Sequence, residues 1–290
     1  MTGSNNLKEN IIYGIFLVLG LITVGFVLLI SIYLIIAGLP AIREIGLIDF
    51  LFGTKWASTA AEPKFGILPF ILTSVYGTAG AVIIAIPVGF FTAVYISKIA
   101  PKWVRTWVSG AVNLLAGIPS VVYGLVGMMV LIPGIRVVFN VPDGATLLAA
   151  IIVLSIMILP YIISVSVTSL DAVPKSYEDA SLALGANHIE TYFRVSVPAA
   201  KSGIAAAVVL GVGRAIGEAM AVIMVSGNVA NMPGIFESVR FLTSAVASEM
   251  SYSSGLQREA LFSIALVLFL FIMLINACLN FFIKRGQKLH

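Results

Sequence analysis

Charge is scarce in this sequence: 10% of its 290 residues are Asp, Glu, Lys or Arg, while 60% are hydrophobic. Soluble domains carry about a quarter charged residues, so a soluble globular protein is excluded and a polytopic membrane protein is expected. Cysteine is nearly absent. The single Cys278 lies in an apolar run, which excludes an intramolecular disulfide and a multi-cysteine metal site. Histidine is almost as rare. His188 and His290 stand far apart, so a histidine metal site or a Ser-His dyad within a span is disfavoured, and no catalytic residue or metal is assigned. No Gly-x-x-x-x-Gly-Lys-Ser/Thr loop is present, so the chain does not bind and hydrolyse ATP by that route. Gly211-Val-Gly213-Arg-Ala-Ile-Gly217 lacks the dinucleotide spacing and follows no strand. Ten-residue alternating segments are missing too, which disfavours a β-barrel. The net charge of +4 needs no nucleic acid, because basic residues gather in the cytoplasmic loops of membrane proteins.

What is present is a set of long apolar runs. No charged residue occurs in 10–42, 65–97, 106–135, 144–170 or 260–283. A helix needs about 20 apolar residues to cross the bilayer, so each gap holds one span. The stretch 202–236 is as apolar but contains Arg214 and Glu218, and counts as a sixth span with a functional interruption. The expected fold is therefore all-α, one transmembrane domain over 1–290. Its six helices fall near 11–37, 67–97, 107–133, 145–169, 202–226 and 260–283. The first run is too long for a signal-peptide core and lacks a cleavage site, so it is expected to be retained. With the N-terminus inside, inner segments hold ten Lys and Arg and outer segments six, favouring both termini in the cytoplasm. Trp103 and Trp107 flank the third span as interfacial aromatics. Gly77/Gly80, Gly124/Gly127 and Gly213/Gly217 suit close helix packing, and Pro87, Pro119 and Pro160 suggest kinks.

The largest inner loop, 170–201, has internal structure. Pro174 opens a helix over Lys175–Leu184, Gly185 terminates it, and Asn187-x-x-Glu190 reads as a capping box for a second helix ending before Pro198. Tyr177, Ala180 and Leu184 share one apolar face, which serves equally for a protein partner or for resting on lipid.

Asp179-Ala180-Ser181, Gly185 and Val195-Ser196-Val197-Pro198 resemble the EAA signature of ABC-importer permeases in spacing throughout. That signature runs Glu-Ala-Ala, three residues, Gly, nine residues, Ile-x-Leu-Pro. The departures keep charge, small size and apolarity, and the neighbouring Glu178 offers a second acidic register. In that family the loop docks into a cleft of a separate ATPase subunit, so the resemblance assigns Asp179, Ala180, Ser181, Gly185 and Pro198 to coupling. Phe52-Gly-Thr-Lys-Trp56, Gly66-Ile-Leu-Pro69, Ile86-Pro-Val-Gly89, Gly117-Ile-Pro-Ser-Val-Val-Tyr-Gly124 and Arg214-Ala-Ile-Gly-Glu218 further resemble the phosphate-specific (Pst) permeases, of the PstC type more than PstA. The resemblance covers nearly everything after the first span. It implies a type I ABC-importer (MetI-like) fold in a prokaryotic inner membrane and no enzymatic activity in this chain. It also implies a heterodimer with a PstA-type permease, a PstB-type ATPase dimer that binds ATP and Mg, and an external phosphate-binding protein. This chain would hold no cofactor.

A central arginine costs about 2.5–3.5 kcal/mol in a membrane helix, so Arg214 needs a partner or a wet cavity. Glu218, one turn along, is expected to pair with it. A buried ion pair that fixes packing is one reading; the other places Arg214 in the path of an oxyanion. Ser120 and Tyr123, after Pro119, are further path candidates, since Pro119 frees a backbone carbonyl. The outer loop 227–258, rich in Ser, Asn and Gly, reads as a solvated connector, or through the resemblance as a contact for the binding protein. Rival functions are a permease for sulfate, molybdate or phosphonate, and a self-contained secondary transporter or channel. The EAA-like loop stands against the last.

Overall fold

The computed structural model describes residues 3–288, with side chains described for 9–279 and 281. Helix α1 (Gly3–Ile45) leads into a short α2 (Leu47–Phe52) and a hairpin of β1 (Trp56–Ala57) and β2 (Lys64–Phe65). Pro69, in the first turn where its missing N–H costs nothing, helps open α3 (Leu68–Val94), which ends in a π-helical turn at Tyr95–Ile99. Next come α4 (Lys102–Gly117), α5 (Ser120–Val126), a π turn at Gly127–Leu131 and α6 (Ile132–Phe139). The Thr146 hydroxyl caps α7 (Leu147–Asp171) by accepting from the Ala149 N–H at 3.4 Å. The loop 170–201 carries α8 (Lys175–Ala183), α9 (His188–Thr191), a π turn at Tyr192–Ser196 and α10 (Val197–Ala199). The chain closes with α11 (Lys201–Ile216), α12 (Met220–Val225), α13 (Leu242–Glu249) and α14 (Gly255–Lys288).

Among the described residues five helices are long and apolar enough to cross a membrane, within Glu9–Ile45, Leu68–Ile99, Ser120–Phe139, Leu147–Asp171 and Gly255–Leu279. Counting His188–Ala199 and Lys201–Ile216, bent by 69° at Ala200, as one broken span makes six. Two expected spans are interrupted. The run at 107–133 is two helices, because Pro119 has no N–H to continue the α4 ladder and the chain is extended at Ile118 and Pro119. The run at 202–226 breaks between Ile216 and Met220.

The core lies where α3, α7 and α11 meet. Ile162 of α7 sits between two glycines: a Cβ on Gly89 of α3 would lie 2.8 Å from it, and one on Gly211 of α11 would lie 3.1 Å away. Membrane helices gain little from hydrophobic exclusion, so this close approach is what fastens them. Gly77, Gly80, Gly124 and Gly127 are packed in the same way, against Phe241, Ile151, Met224 and Val225. Among the described residues nothing comes within 4 Å of a Cβ on Gly213, so the Gly213/Gly217 pair packs against no other helix among them. α1 docks chiefly on α14, through Tyr33 against Phe262 and a hydrogen bond from the Ser263 hydroxyl to the Gly38 carbonyl.

The loop 227–258 is not a solvated connector. Leu242 and Ala245 of α13 are fully buried with Phe50, Phe70 and Leu261. Glu249 gathers the elements around this loop: it pairs with Arg240 and accepts from Trp56 Nε1 at 3.3 Å and Gln257 Nε2 at 3.1 Å. Such a hub orders polar residues that composition alone reads as loop.

Candidate functional site

The elbow within 170–201 forms as its residues dictate. Gly185, at φ +90°, closes α8: its N–H bonds to the Leu182 carbonyl at 3.0 Å and the next N–H, of Ala186, bonds to Ser181 at 3.3 Å. That paired 5→2 and 6→1 pattern requires a left-handed residue, which glycine supplies without steric cost. Asn187 and Glu190 then make a reciprocal capping box, with bonds of 2.9 and 3.1 Å. The second arm does not end before Pro198. It runs through the π turn into α10, where Pro198 sits in the first turn.

Asp179 and Ala180 are exposed on α8, as are Tyr177 and Leu184, the latter 91% exposed. Ser181 points inward and shares a 3.0 Å hydrogen bond with the Thr191 hydroxyl, tying the two arms together. The acid that faces the body is Glu178: it accepts from Lys98 Nζ at 2.6 Å and from the Ser196 hydroxyl at 2.8 Å. Burial pushes its carboxyl up, but those two bonds and the charges of Lys98 and Lys175 together outweigh it and hold Glu178 below the ordinary glutamate value. Beside this pair Arg105 bridges to Asp171, which also accepts from the Ser97 hydroxyl at 2.6 Å. The sequence hint of this knot was the doubled acid Glu178-Asp179, whose two members leave a helix on different faces.

The charged pair in the broken span is arranged differently from expectation. Arg214 and Glu218 form no ion pair among the described residues. α11 ends at Ile216, so Glu218 leaves the i,i+4 register and folds onto the next helix. Its carboxylate accepts from the Ala221 N–H at 3.1 Å and its carbonyl accepts from the Thr243 hydroxyl at 2.7 Å. Arg214 instead lies over the Tyr161 ring, with its central carbon 4.8 Å from the ring centroid, and its Nε is buried without a hydrogen-bond partner. A cation–π contact contributes about 0.5–2 kcal/mol, less than the cost of burying the arginine in a span, and it leaves the guanidinium's donors uncommitted. Tyr161 was not legible as this platform, because it sits on another helix more than fifty residues away.

Tyr123 donates to the Leu115 carbonyl at 2.8 Å, which is the carbonyl that Pro119 leaves without its helical donor. Tyr161 and Arg214 both lie within electrostatic reach of it. Ser120, half-buried, begins α5. Tyr123 also lines a cavity of about 620 Å³ with Val126, Gly127, Ile152 and Ile156, whose apolar walls offer an anion nothing. Among the described residues no group of three or more His, Cys, Asp or Glu is placed to hold a metal.

Residues 85–287 match the family model for the binding-protein-dependent transport system inner membrane component. The probable ABC transporter permease protein YqgH of Bacillus subtilis is 40% identical over 265 residues, covering 88% of this chain and 86% of that one. The phosphate transport system permease protein PstC of Haemophilus influenzae is 33% identical over 286 residues, covering 91% and 90%. In fold, a chain of the inward-facing MetNI methionine ABC transporter superposes with a TM-score of 0.60 at 20% identity, covering 76% of this chain and 95% of that one. A chain of a bacterial alginate ABC transporter, solved with an alginate-bound periplasmic protein, gives 0.63 at 15% identity, covering 96% of each.

Proposed function

Because the chain belongs to the binding-protein-dependent permeases of ABC transporters, as a multi-pass transport subunit and not an enzyme, we propose that it forms part of an inward path for inorganic phosphate. Arg214 carries this reading. A guanidinium whose neighbouring carboxylate is engaged elsewhere keeps its charge and its forked donors for an oxyanion, and a planar fork suits phosphate. The relatives named as phosphate permeases favour phosphate over sulfate, molybdate or phosphonate, while YqgH carries only the general permease name. ATP and Mg would be bound by a PstB-type ATPase dimer docked on Asp179, Ala180, Ser181, Gly185 and Pro198. The exposed face of Tyr177, Ala180 and Leu184 supports that docking. A PstA-type permease would complete the path, with Ser120 and Tyr123 beside it, and an external binding protein would deliver the anion.

Purification from native membranes should bring down an ATPase and a second permease. Reconstituted uptake of labelled phosphate should resist excess sulfate, molybdate or phosphonate. Uptake suppressed by one of those competitors reassigns the substrate, and a chain that transports without an ATPase ends the ABC reading.

The orientation proposed places 175–201 and both termini in the cytoplasm. In a Cys278→Ser background, an impermeant thiol reagent on intact cells should label Tyr252→Cys, at a side chain 91% exposed, and spare Ser176→Cys. The reverse pattern inverts the topology.

A further inference from the structure

Helix α8 has no buried residue of its own. Apolar packing is therefore a weak route for a push from α8 into the membrane helices, and its polar contacts are the stronger one. Two of these are local to the elbow, the Ser181–Thr191 bridge and the glycine turn. Among the described residues the one that reaches a membrane helix is the pair Lys98–Glu178, whose side chains are 10% and 19% exposed. Lys98 stands in the π turn that ends α3, and the Ser196 hydroxyl closing the site from the other side stands in the π turn that follows α9. In each turn an i→i+5 bond replaces the α pattern, Ala100 N–H to Tyr95 at 2.8 Å and Val197 N–H to Tyr192. π turns concentrate where a helix must present a side chain off its regular register. Two of them converge on one carboxylate here.

We infer that Lys98 and Glu178 are positioning residues for coupling, the joint through which a displacement of α8 moves α3. α3 packs along α7 and α11, and those helices carry Tyr161 and Arg214. A shift of α3 along its axis is thereby delivered to the charged break. The partly screened pair Arg105–Asp171, 43% and 32% exposed, stands beside the joint, and exposed pairs of that kind contribute little. The low exposure of Lys98 and Glu178 makes their pairing directional and costly to break. The inference rests on the reading of 170–201 as the ATPase-coupling loop.

The test uses the complex purified with its ATPase, reconstituted in proteoliposomes with the external binding protein. Inorganic phosphate uptake and ATP hydrolysis are measured together. Lys98→Met keeps the aliphatic stem and Glu178→Gln keeps the hydrogen bond to Ser196. Each should still copurify with the ATPase and hydrolyse ATP, with phosphate moved per ATP falling about tenfold or more. The charge swap, Lys98→Glu with Glu178→Lys, should bring the ratio back to within about threefold of the wild type. A merely structural pair lowers the yield of complex and leaves the ratio alone. An unchanged ratio in the single variants overturns the inference, as does an assembled swap whose ratio stays low. Singles that fail to assemble and are not rescued by the swap also overturn it, because the pair would then hold the fold and not transmit motion. A wild-type complex with no ATP-driven uptake instead defeats the reading of the loop itself.

Discussion

Arg214→Gln is expected to cut phosphate uptake by about one to two orders of magnitude while the complex still assembles. A hydrogen bond from a charged donor is worth about 1.5–3 kcal/mol, and the amide supplies neither the charge nor the fork, so a loss of roughly 10- to 100-fold follows from chemistry alone. Assembly is spared because Glu218 does not depend on the arginine: its carboxylate is held by the Ala221 N–H and stays satisfied when the guanidinium is gone. Glu218→Gln provides the internal control. The glutamine oxygen still accepts from Ala221, so uptake should fall little. Arg214→Lys keeps charge but loses the planar face on Tyr161 and should recover part of the activity. Labelled-phosphate uptake per mole of assembled complex decides the matter. Near-normal uptake by Arg214→Gln would remove the residue from the anion path.

Gly185→Val is expected to leave the protein in the membrane and abolish ATP-driven uptake. No heavy atom comes within 4 Å of a Cβ at this position, so crowding by neighbours plays no part. The penalty is conformational: at φ +90° an L-residue meets its own backbone, at about 1–2 kcal/mol, and a β-branched side chain is worse. The bonds from Gly185 and Ala186 into Leu182 and Ser181 would open, and α8 would no longer meet α9 at the same angle. The coupling reading then expects weaker retention of the ATPase. Gly185→Asn tolerates the left-handed region better and should transport close to wild type. If Gly185→Val copurifies fully with its ATPase and imports phosphate normally, the geometry of the elbow does not matter to docking.

Charge spacing and turn chemistry made much of this molecule legible. Long uncharged runs mark lipid-facing helices because a charge at that depth is costly. Gly185 and the Asn187–Glu190 box mark the elbow because their requirements are local. What stayed hidden depends on where helices stop. Charge spacing does not see the break after Gly117, since both sides of Pro119 are uncharged, and so a span expected at 107–133 lies at Ser120–Phe139. The same blindness put Glu218 one turn above Arg214 on an unbroken helix, when Ile216 is the last helical residue. The doubled acid at 178–179 could not be sorted from sequence, because the face that meets Lys98 is decided by how α8 leans on α3. Leu242 and Ala245 were lost in a loop-like composition because their burial needs Phe50 and Phe70 from far upstream.

The attachment of α1 also bears on how the protein is made. Apolar residues of α1 from Ile11 to Ile36 are largely exposed, and the Gly38–Ser263 bond joins positions 225 residues apart. During synthesis α1 enters the bilayer long before α14 exists to receive it. Its membrane-spanning part must wait there without its chief partner, its backbone groups bonded along the helix, which lipid permits at little cost because hydrocarbon tails are as apolar as leucine. Closing so long a loop adds only a logarithmic entropy term. Helix α1 is thus made early and completes its packing late, and a ribosome stalled before Ser263 would leave it inserted without its chief partner.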